Sequence, residues 1–144
     1  MKRRTVALAA LITLALVLTG CVNADKSARD GATAQAEKGA VTKIDAATAY
    51  KRMSASEGYI LLDVRTPEEF SESHIQGAVL LPDYDIEARA AEVLPDRDTV
   101  LYVYCRSGRR SAASSALLAD MGYTNIYDFG GIVDWPYETV SGSD

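Results

Sequence analysis

The stretch VLYVYCRSGRRSAASSALLADMG, residues 100–122, decides the fold of this 144-residue chain. It opens with an apolar run rich in β-branched and aromatic residues, which predicts a buried strand over residues 99–104. It continues with an Ala, Ser and Leu segment that predicts a helix over residues 111–121, closed by Gly122. Cys105 therefore follows a strand directly and lies just before a helix.

Strand-like and helix-like segments alternate along the rest of the chain. Further strands are predicted over residues 41–44, 59–64, 78–81 and 125–129. Further helices are predicted up to residue 56 with Asp45 as N-cap, after Thr66 with Pro67 in the first turn, over residues 86–94, and around Trp135 after Gly130 and Gly131. Apolar strands separated by helices are typical of a parallel sheet covered on both faces. The predicted fold class is α/β, with a mostly parallel sheet of about five strands.

The loop after Cys105 is the candidate functional site. Ligands of open α/β sheets bind at the carboxyl ends of strands, where this loop is expected. Gly108 permits tight curvature, so that backbone N–H groups surround a point near the sulfur. The positive end of the next helix, together with Arg106, Arg109 and Arg110, favours an anion there. A thiolate is such an anion, which predicts a nucleophilic Cys105. The alternative is a buried, inert cysteine.

Two chemistries place a thiolate in an anion-binding loop: phosphoryl transfer through a cysteinyl-phosphate and sulfur transfer through a cysteine persulfide. The loop from Cys105 to Arg110 has six residues, which is one fewer than in the cysteine–five residues–arginine loop of cysteine phosphatases. A shorter loop makes a smaller pocket, which favours one outer sulfur over a tetrahedral phosphate. Phosphate or arsenate handling on the same fold stays an alternative, and so does a redox sensor with a readily oxidised thiol.

Several motifs resemble the rhodanese family of sulfurtransferases. The matching segments are CRSGRRS at residues 105–111 (the active-site loop), LDVRTPEEF at residues 62–70 (the first motif), HIQGA at residues 74–78, and Gly130, Gly131 and Trp135 (the C-terminal motif). The resemblance spans about residues 41–137, as in a single-domain member. It departs from the family at Ser73, where many members have glycine.

The resemblance implies a rhodanese-like fold and an enzyme that carries sulfur as a persulfide on Cys105. The implied donor is thiosulfate or a similar compound, and the implied acceptor is cyanide, a thiol or a protein. No cofactor and no metal are implied. The candidate substrate-binding residues are Arg106, Ser107, Gly108, Arg109, Arg110 and Ser111. For Ser111 an N-terminal helix cap is the alternative role.

Three residues outside the loop have structural interpretations. Arg65 is predicted to pair with Glu69, and Asp63 is predicted to anchor loop backbone. His74 is the chain's single histidine, which excludes a site with several histidine ligands. A structural role is therefore predicted for His74.

The N-terminal segment predicts export and lipidation. Basic residues 2–4 precede an apolar run over residues 6–18 that is too short to span a bilayer. The residues LTGC at positions 18–21 resemble the lipobox of bacterial lipoproteins. The resemblance implies a signal peptide over residues 1–20 and a lipid on Cys21, which anchors the protein to the outside face of a bacterial membrane. An ordinary secretory signal cleaved near Ala24 is the alternative.

The composition completes the domain prediction. Residues 21–40 are small and polar and predict a flexible tether, so that one domain occupies residues 41–141. Loss of three basic residues with the signal peptide changes the formal net charge from −5 to −8. An acidic chain argues against nucleic acid as a partner. With Cys21 lipidated, Cys105 is the sole free thiol and no intramolecular disulfide is possible.

Overall fold

The computed structural model describes residues 39–142. The strands are β1 (Ala40–Lys43), β2 (Tyr59–Asp63), β3 (Ala78–Leu80), β4 (Val100–Cys105) and β5 (Asn125–Gly131). The helices are α1 (Ala46–Ala55), α2 (Pro67–Glu72), α3 (Ile86–Val93) and α4 (Arg109–Asp120). Short 3-10 helices occupy Asp83–Asp85 and Ile132–Asp134. The predicted signal peptide, Cys21 and nearly all of the predicted tether lie outside the described residues.

The strands form one parallel sheet in the order β1-β5-β4-β2-β3. Alternate residues of a strand point to opposite faces, so β4 contributes to two separate cores. Leu101 and Val103 pack on one face with residues of α3 and α4, whereas Tyr102 and Tyr104 pack on the other with residues of α1. The prediction of an α/β fold with five parallel strands and helices on both faces is confirmed.

The helix starts follow from side-chain caps. The Thr48 N–H donates to the Asp45 carboxylate at 2.6 Å, which confirms Asp45 as the N-cap of α1. At α2 the Glu69 N–H donates to Thr66 Oγ1, the Thr66 N–H donates to the Glu69 carboxylate, and Pro67 is the first helical residue. This capping box supplies partners for backbone groups that a helix start otherwise leaves exposed. The predicted Thr66 cap is confirmed.

Two boundaries near the cysteine loop differ from the prediction. Helix α4 begins at Arg109, two residues before the predicted start, because Gly108 takes a left-handed φ of 93° as N-cap and turns the chain early. Trp135 follows the 3-10 helix of residues 132–134 instead of lying in it. Its ring packs against Phe129 and Tyr137.

A bulge interrupts the pairing of β4 with β5. Val103 pairs with Asp128, but the next residue, Tyr104, pairs with Gly130, so Phe129 is an extra residue in β5. Bulges of this kind bend a strand and redirect its side chains. The bulge lies at the carboxyl end of the sheet, beside the cysteine loop.

Residues 39–142 contain no helix that combines the length and the apolar character needed to cross a membrane.

Candidate active site

Cys105 is the last residue of β4, and the chain turns within three residues into α4. The residue is 1 % exposed. Its Sγ accepts a hydrogen bond from the Gly108 N–H at 3.1 Å. The sulfur therefore lies at the positive end of a 12-residue helix and faces a backbone donor. Both features stabilise a negative charge on sulfur.

Close backbone contacts fix the cysteine loop against the end of β5. A Cβ atom on Gly131 would lie 2.4 Å from the Arg106 carbonyl oxygen and 2.6 Å from the Ser107 Cα, so this position accepts no side chain. The Val133 N–H donates to the same Arg106 carbonyl at 3.2 Å. The loop shape is thus set by its neighbours as well as by its own sequence.

Ser111 lies beneath the loop and is fully buried. Its hydroxyl donates to Asp128 Oδ1 at 2.7 Å and lies 3.1 Å from the Gly108 carbonyl oxygen. The Gly130 N–H donates to the same Asp128 oxygen at 3.1 Å. One carboxylate therefore joins the first turn of α4 to the bulge in β5. The predicted role of Ser111 as the N-terminal cap is wrong, because Gly108 is the N-cap and Ser111 is the third residue of α4. Its hydroxyl instead anchors the first turn of the helix to β5, and contact with a substrate stays a prediction.

Arg110 forms a bidentate ion pair with Glu69, with both N···O distances at 2.7 Å. Hydrogen bonding to Arg110 lowers the pKa of Glu69 to about 2. The same hydrogen bonding raises the pKa of Arg110 further above its ordinary value. Arg110 thereby ties the start of α4 to the first turn of α2. The guanidinium of Arg110 is therefore bound by the Glu69 carboxylate.

The predicted pairing of Arg65 with Glu69 is wrong. Arg65 donates to the Asp63 carboxylate at 2.6 Å and to the Ser73 carbonyl oxygen at 2.7 Å, and the side chains of Arg65 and Asp63 are buried. Residues two apart in extended chain point to the same side, which brings Asp63 next to Arg65. Burial lowers the pKa of Arg65, but bonding to Asp63 outweighs it and the net shift is upward. The Asp63 carboxylate also accepts the Arg65 N–H, which confirms it as a backbone anchor.

The remaining predicted loop residues stay accessible. Arg106, Ser107 and Arg109 are exposed, and within residues 39–142 neither arginine forms an ion pair. The site therefore combines a buried sulfur, a backbone donor aimed at it, and two surface guanidinium groups that form no ion pair with a described residue. This arrangement places positive charge and a backbone donor beside a buried thiol.

Comparison with known proteins agrees with this geometry. The family model described as a rhodanese-like domain matches residues 46–137. The chain belongs to the rhodanese family.

Two curated relatives of this rhodanese are similar in sequence over most of their own length. The thiosulfate sulfurtransferase PspE of Escherichia coli is 37% identical over 81 residues, which cover 56% of this chain and 78% of the relative. A sulfurtransferase of Allochromatium vinosum is 38% identical over 96 residues, which cover 66% and 88%. The chain is accordingly a thiosulfate sulfurtransferase-like enzyme.

Solved structures share the fold. A rhodanese with anions from E. coli has a TM-score of 0.55 and 36% identity, covering 58% of this chain and 99% of that chain. A rhodanese-like domain protein from Staphylococcus aureus has a TM-score of 0.61 and 26% identity, covering 71% and 99%.

His74 in this rhodanese is held within the protein. Its Nδ1 lies 2.9 Å from the Phe70 carbonyl oxygen, and its ring stacks on the Phe70 ring with centroids 3.7 Å apart. The residue is buried. These contacts fit the structural role predicted for it.

The sequence analysis missed Asp128 and the Glu69–Arg110 pair. Asp128 had a visible signal, because a carboxylate within an otherwise apolar strand needs a partner when it is buried. The Glu69–Arg110 pair had none, because 41 residues separate its members.

Proposed function

We propose that this rhodanese moves a sulfane sulfur from thiosulfate or a similar donor to a thiophilic acceptor through a persulfide on Cys105. The observation that carries the proposal is the 3.1 Å hydrogen bond from the Gly108 N–H to Sγ at the start of α4. A backbone donor at a helix start stabilises the thiolate before transfer and the anionic sulfur after it.

The donor step needs no external oxidant or reductant. The Cys105 thiolate attacks the outer sulfur of thiosulfate, and a new bond forms between Sγ and that sulfur. The old sulfur–sulfur bond breaks, and its electron pair leaves with sulfite. An acceptor then removes the outer sulfur, and the electron pair of the second broken bond returns to Sγ.

Free positive charge at the loop supports an anionic donor. Arg106 and Arg109 are the arginines of the loop that are exposed and form no ion pair with a described residue, and they are proposed to attract the donor's sulfonate. Arg110 is bound to Glu69, so its proposed role is to support the loop. No side chain is needed as a base once the thiol is ionised.

A mass measurement tests this function. Reduced protein incubated with thiosulfate is expected to gain the mass of a single sulfur atom, and cyanide should then release thiocyanate. Cys105→Ser should lose both, because serine forms no persulfide. Failure to form a persulfide with any sulfane donor would reject the proposal. Hydrolysis of an aryl phosphate that disappears in Cys105→Ser would favour the oxyanion alternative.

We further infer that the protein is exported and anchored by lipid on Cys21. The support is the order of basic residues 2–4, the apolar run of residues 6–18 and the LTGC tetrad. Cys21→Ser is expected to move the protein from the membrane fraction to the soluble fraction. Retention of that variant on the membrane would contradict lipidation at Cys21.

A further inference from the structure

A small cavity of about 210 Å³ opens beside the cysteine loop. Its walls include four charged side chains and two apolar ones: Arg65, Glu69, Glu72, Arg106, Ile132 and Val133. Pockets for drug-sized ligands measure about 300–1,000 Å³. This cavity therefore suits a compact molecule.

Two of the four charged groups are already satisfied by the protein. Arg65 is bound to Asp63 and to the Ser73 carbonyl oxygen, and Glu69 is bound to Arg110. Arg106 and Glu72 are exposed and form no ion pair, with each other or with any other group among residues 39–142. Among the residues that the structure describes, the cavity thus offers one cation and one anion that form no ion pair.

The cavity shares a wall with the reactive loop. Arg106 directly follows Cys105, and its carbonyl oxygen accepts the Val133 N–H at 3.2 Å. Val133 is 63% exposed, although it lies next to the site. An apolar side chain at this edge gives a bound molecule a surface for its methylene groups.

We propose that this cavity is the acceptor subsite of the sulfurtransferase and that it takes a small zwitterionic thiol, namely an α-amino acid that carries a thiol. This inference rests on the proposed function. The acceptor's carboxylate binds Arg106, whose planar guanidinium suits a carboxylate. Its ammonium group binds Glu72, and its methylene group packs on Ile132 and Val133.

The acceptor step balances without an external oxidant or reductant. The acceptor thiolate attacks the outer sulfur of the Cys105 persulfide, and a bond forms between the two sulfurs. The bond from Sγ to the outer sulfur breaks, and its electron pair restores the Cys105 thiolate. The product is the acceptor's persulfide. Arg106 is free for this step because sulfite has already left.

The experiment isolates the acceptor step. The purified protein is loaded with thiosulfate, separated from excess donor, and checked by intact mass for the persulfide. Loaded protein is then mixed with cysteine, with cysteamine (which lacks the carboxylate), with 3-mercaptopropionate (which lacks the ammonium group), or with cyanide. The rate of sulfur loss is compared between variant and wild type for each acceptor, so differences in acceptor reactivity cancel.

Each variant should lose rate with a defined subset of acceptors. Arg106→Gln should slow sulfur transfer to cysteine and to 3-mercaptopropionate by about threefold to tenfold relative to transfer to cysteamine. Glu72→Gln should slow sulfur transfer to cysteine and to cysteamine by a similar factor relative to transfer to 3-mercaptopropionate. Arg97→Gln is the matched control, because Arg97 is exposed, precedes β4 and does not line the cavity. Its effect should not depend on the charges of the acceptor.

Two failures are distinguishable. Absence of persulfide on wild-type protein would reject the proposed function. Persulfide-loaded Arg106→Gln and Glu72→Gln, however slowly they load, should differ between acceptors, and equal rate changes for all four acceptors would reject the subsite.

Discussion

The ion pair between Arg110 and Glu69 shows how single residues hold the active-site loop of this rhodanese. The two side chains are partly buried, at 19% and 24% exposed, and meet in a bidentate geometry. Such pairs are stronger than exposed ion pairs because less water competes for the charges. The Arg110–Glu69 pair also joins α4 to α2, which restrains the loop that leads into α4.

Glu69→Gln is expected to lower the free energy of unfolding by about 1–2 kcal/mol at pH 7. The folded-state pKa of Glu69 is about 2 and its ordinary value is 4.5. The carboxylate therefore stabilises the fold above about pH 4.5, and this stabilisation is lost as the pH falls through about 2. Urea unfolding at pH 7 and pH 3 should show that the difference in free energy of unfolding between wild type and Glu69→Gln is smaller at pH 3.

The control for this prediction is Glu92→Gln, which removes an exposed carboxylate on α3. It is expected to change stability by less than about 0.5 kcal/mol. Equal losses in the two variants would show that the Arg110 pair adds nothing.

Gly131→Ala is expected to slow persulfide formation at least about tenfold, because small displacements in an active site reduce rate strongly. The new Cβ would overlap the backbone of Arg106 and Ser107, so the cysteine loop and the end of β5 must move apart. Gly58→Ala is the control, since no atom lies within 4 Å of its new Cβ and its φ of +77° costs stability alone. The rate of persulfide formation is measured by intact mass after each protein is mixed with thiosulfate. A wild-type rate in Gly131→Ala would contradict the role assigned to this contact.

At the scale of the element, α4 carries three buried serines with different surroundings. Ser111 bonds to Asp128 and joins the helix to β5. The hydroxyl oxygens of Ser114 and Ser115 are buried without a hydrogen-bond partner in the described structure. A buried hydroxyl stabilises a fold when it is paired and costs free energy when it is not. The helix therefore depends on its first turn for polar attachment.

Ser111→Ala is expected to cost about 1–3 kcal/mol, because it leaves the buried Asp128 carboxylate with one fewer donor. Ser115→Ala removes the same atom from the same helix and should leave stability unchanged or raise it. Urea unfolding of the two variants gives the comparison. A loss in Ser115→Ala equal to that in Ser111→Ala would contradict the assignment of the Asp128 bond as the source of stability.

On the scale of the whole molecule, the fold extends beyond the region that defines the family. The family match covers residues 46–137, but β1 pairs with β5 before it and the tail pairs with His74 after it. His74 and Val140 exchange two backbone hydrogen bonds at 2.7 and 2.8 Å. The Gly142 N–H donates to the Ser71 carbonyl oxygen at 3.0 Å. The tail thus covers the segment whose Ser73 carbonyl holds Arg65.

A chain that ends at Glu138 is expected to be less stable by about 1–3 kcal/mol, because it loses these tail bonds. The midpoint of thermal unfolding should fall by about 4–8 °C per kcal/mol in a domain of this size. Val140→Ala is the control, since it keeps the main-chain bonds and alters an exposed side chain. Unchanged unfolding of the shortened chain would show that the tail does not stabilise the domain.

The sequence by itself determined the elements and the position of the candidate reactive cysteine. Apolar runs and cap residues such as Asp45 and Thr66 act within a few positions, so the strands, the helices and the parallel sheet were predictable. The CRSGRRS segment predicted, for the same local reason, that Cys105 lies between a strand and a helix, and the structure confirms that position. Even the early start of α4 is local, because it depends on the left-handed φ of Gly108.

Only the tertiary structure decided which charges are free at the site. Arg106, Arg109 and Arg110 look alike in the sequence, yet Arg110 is bound to Glu69 and the other two are exposed. Asp128 reaches Ser111 through a bulge whose position depends on the register of two strands. Partners such as these meet because the sheet order brings distant segments together, and local sequence patterns carry no record of that order.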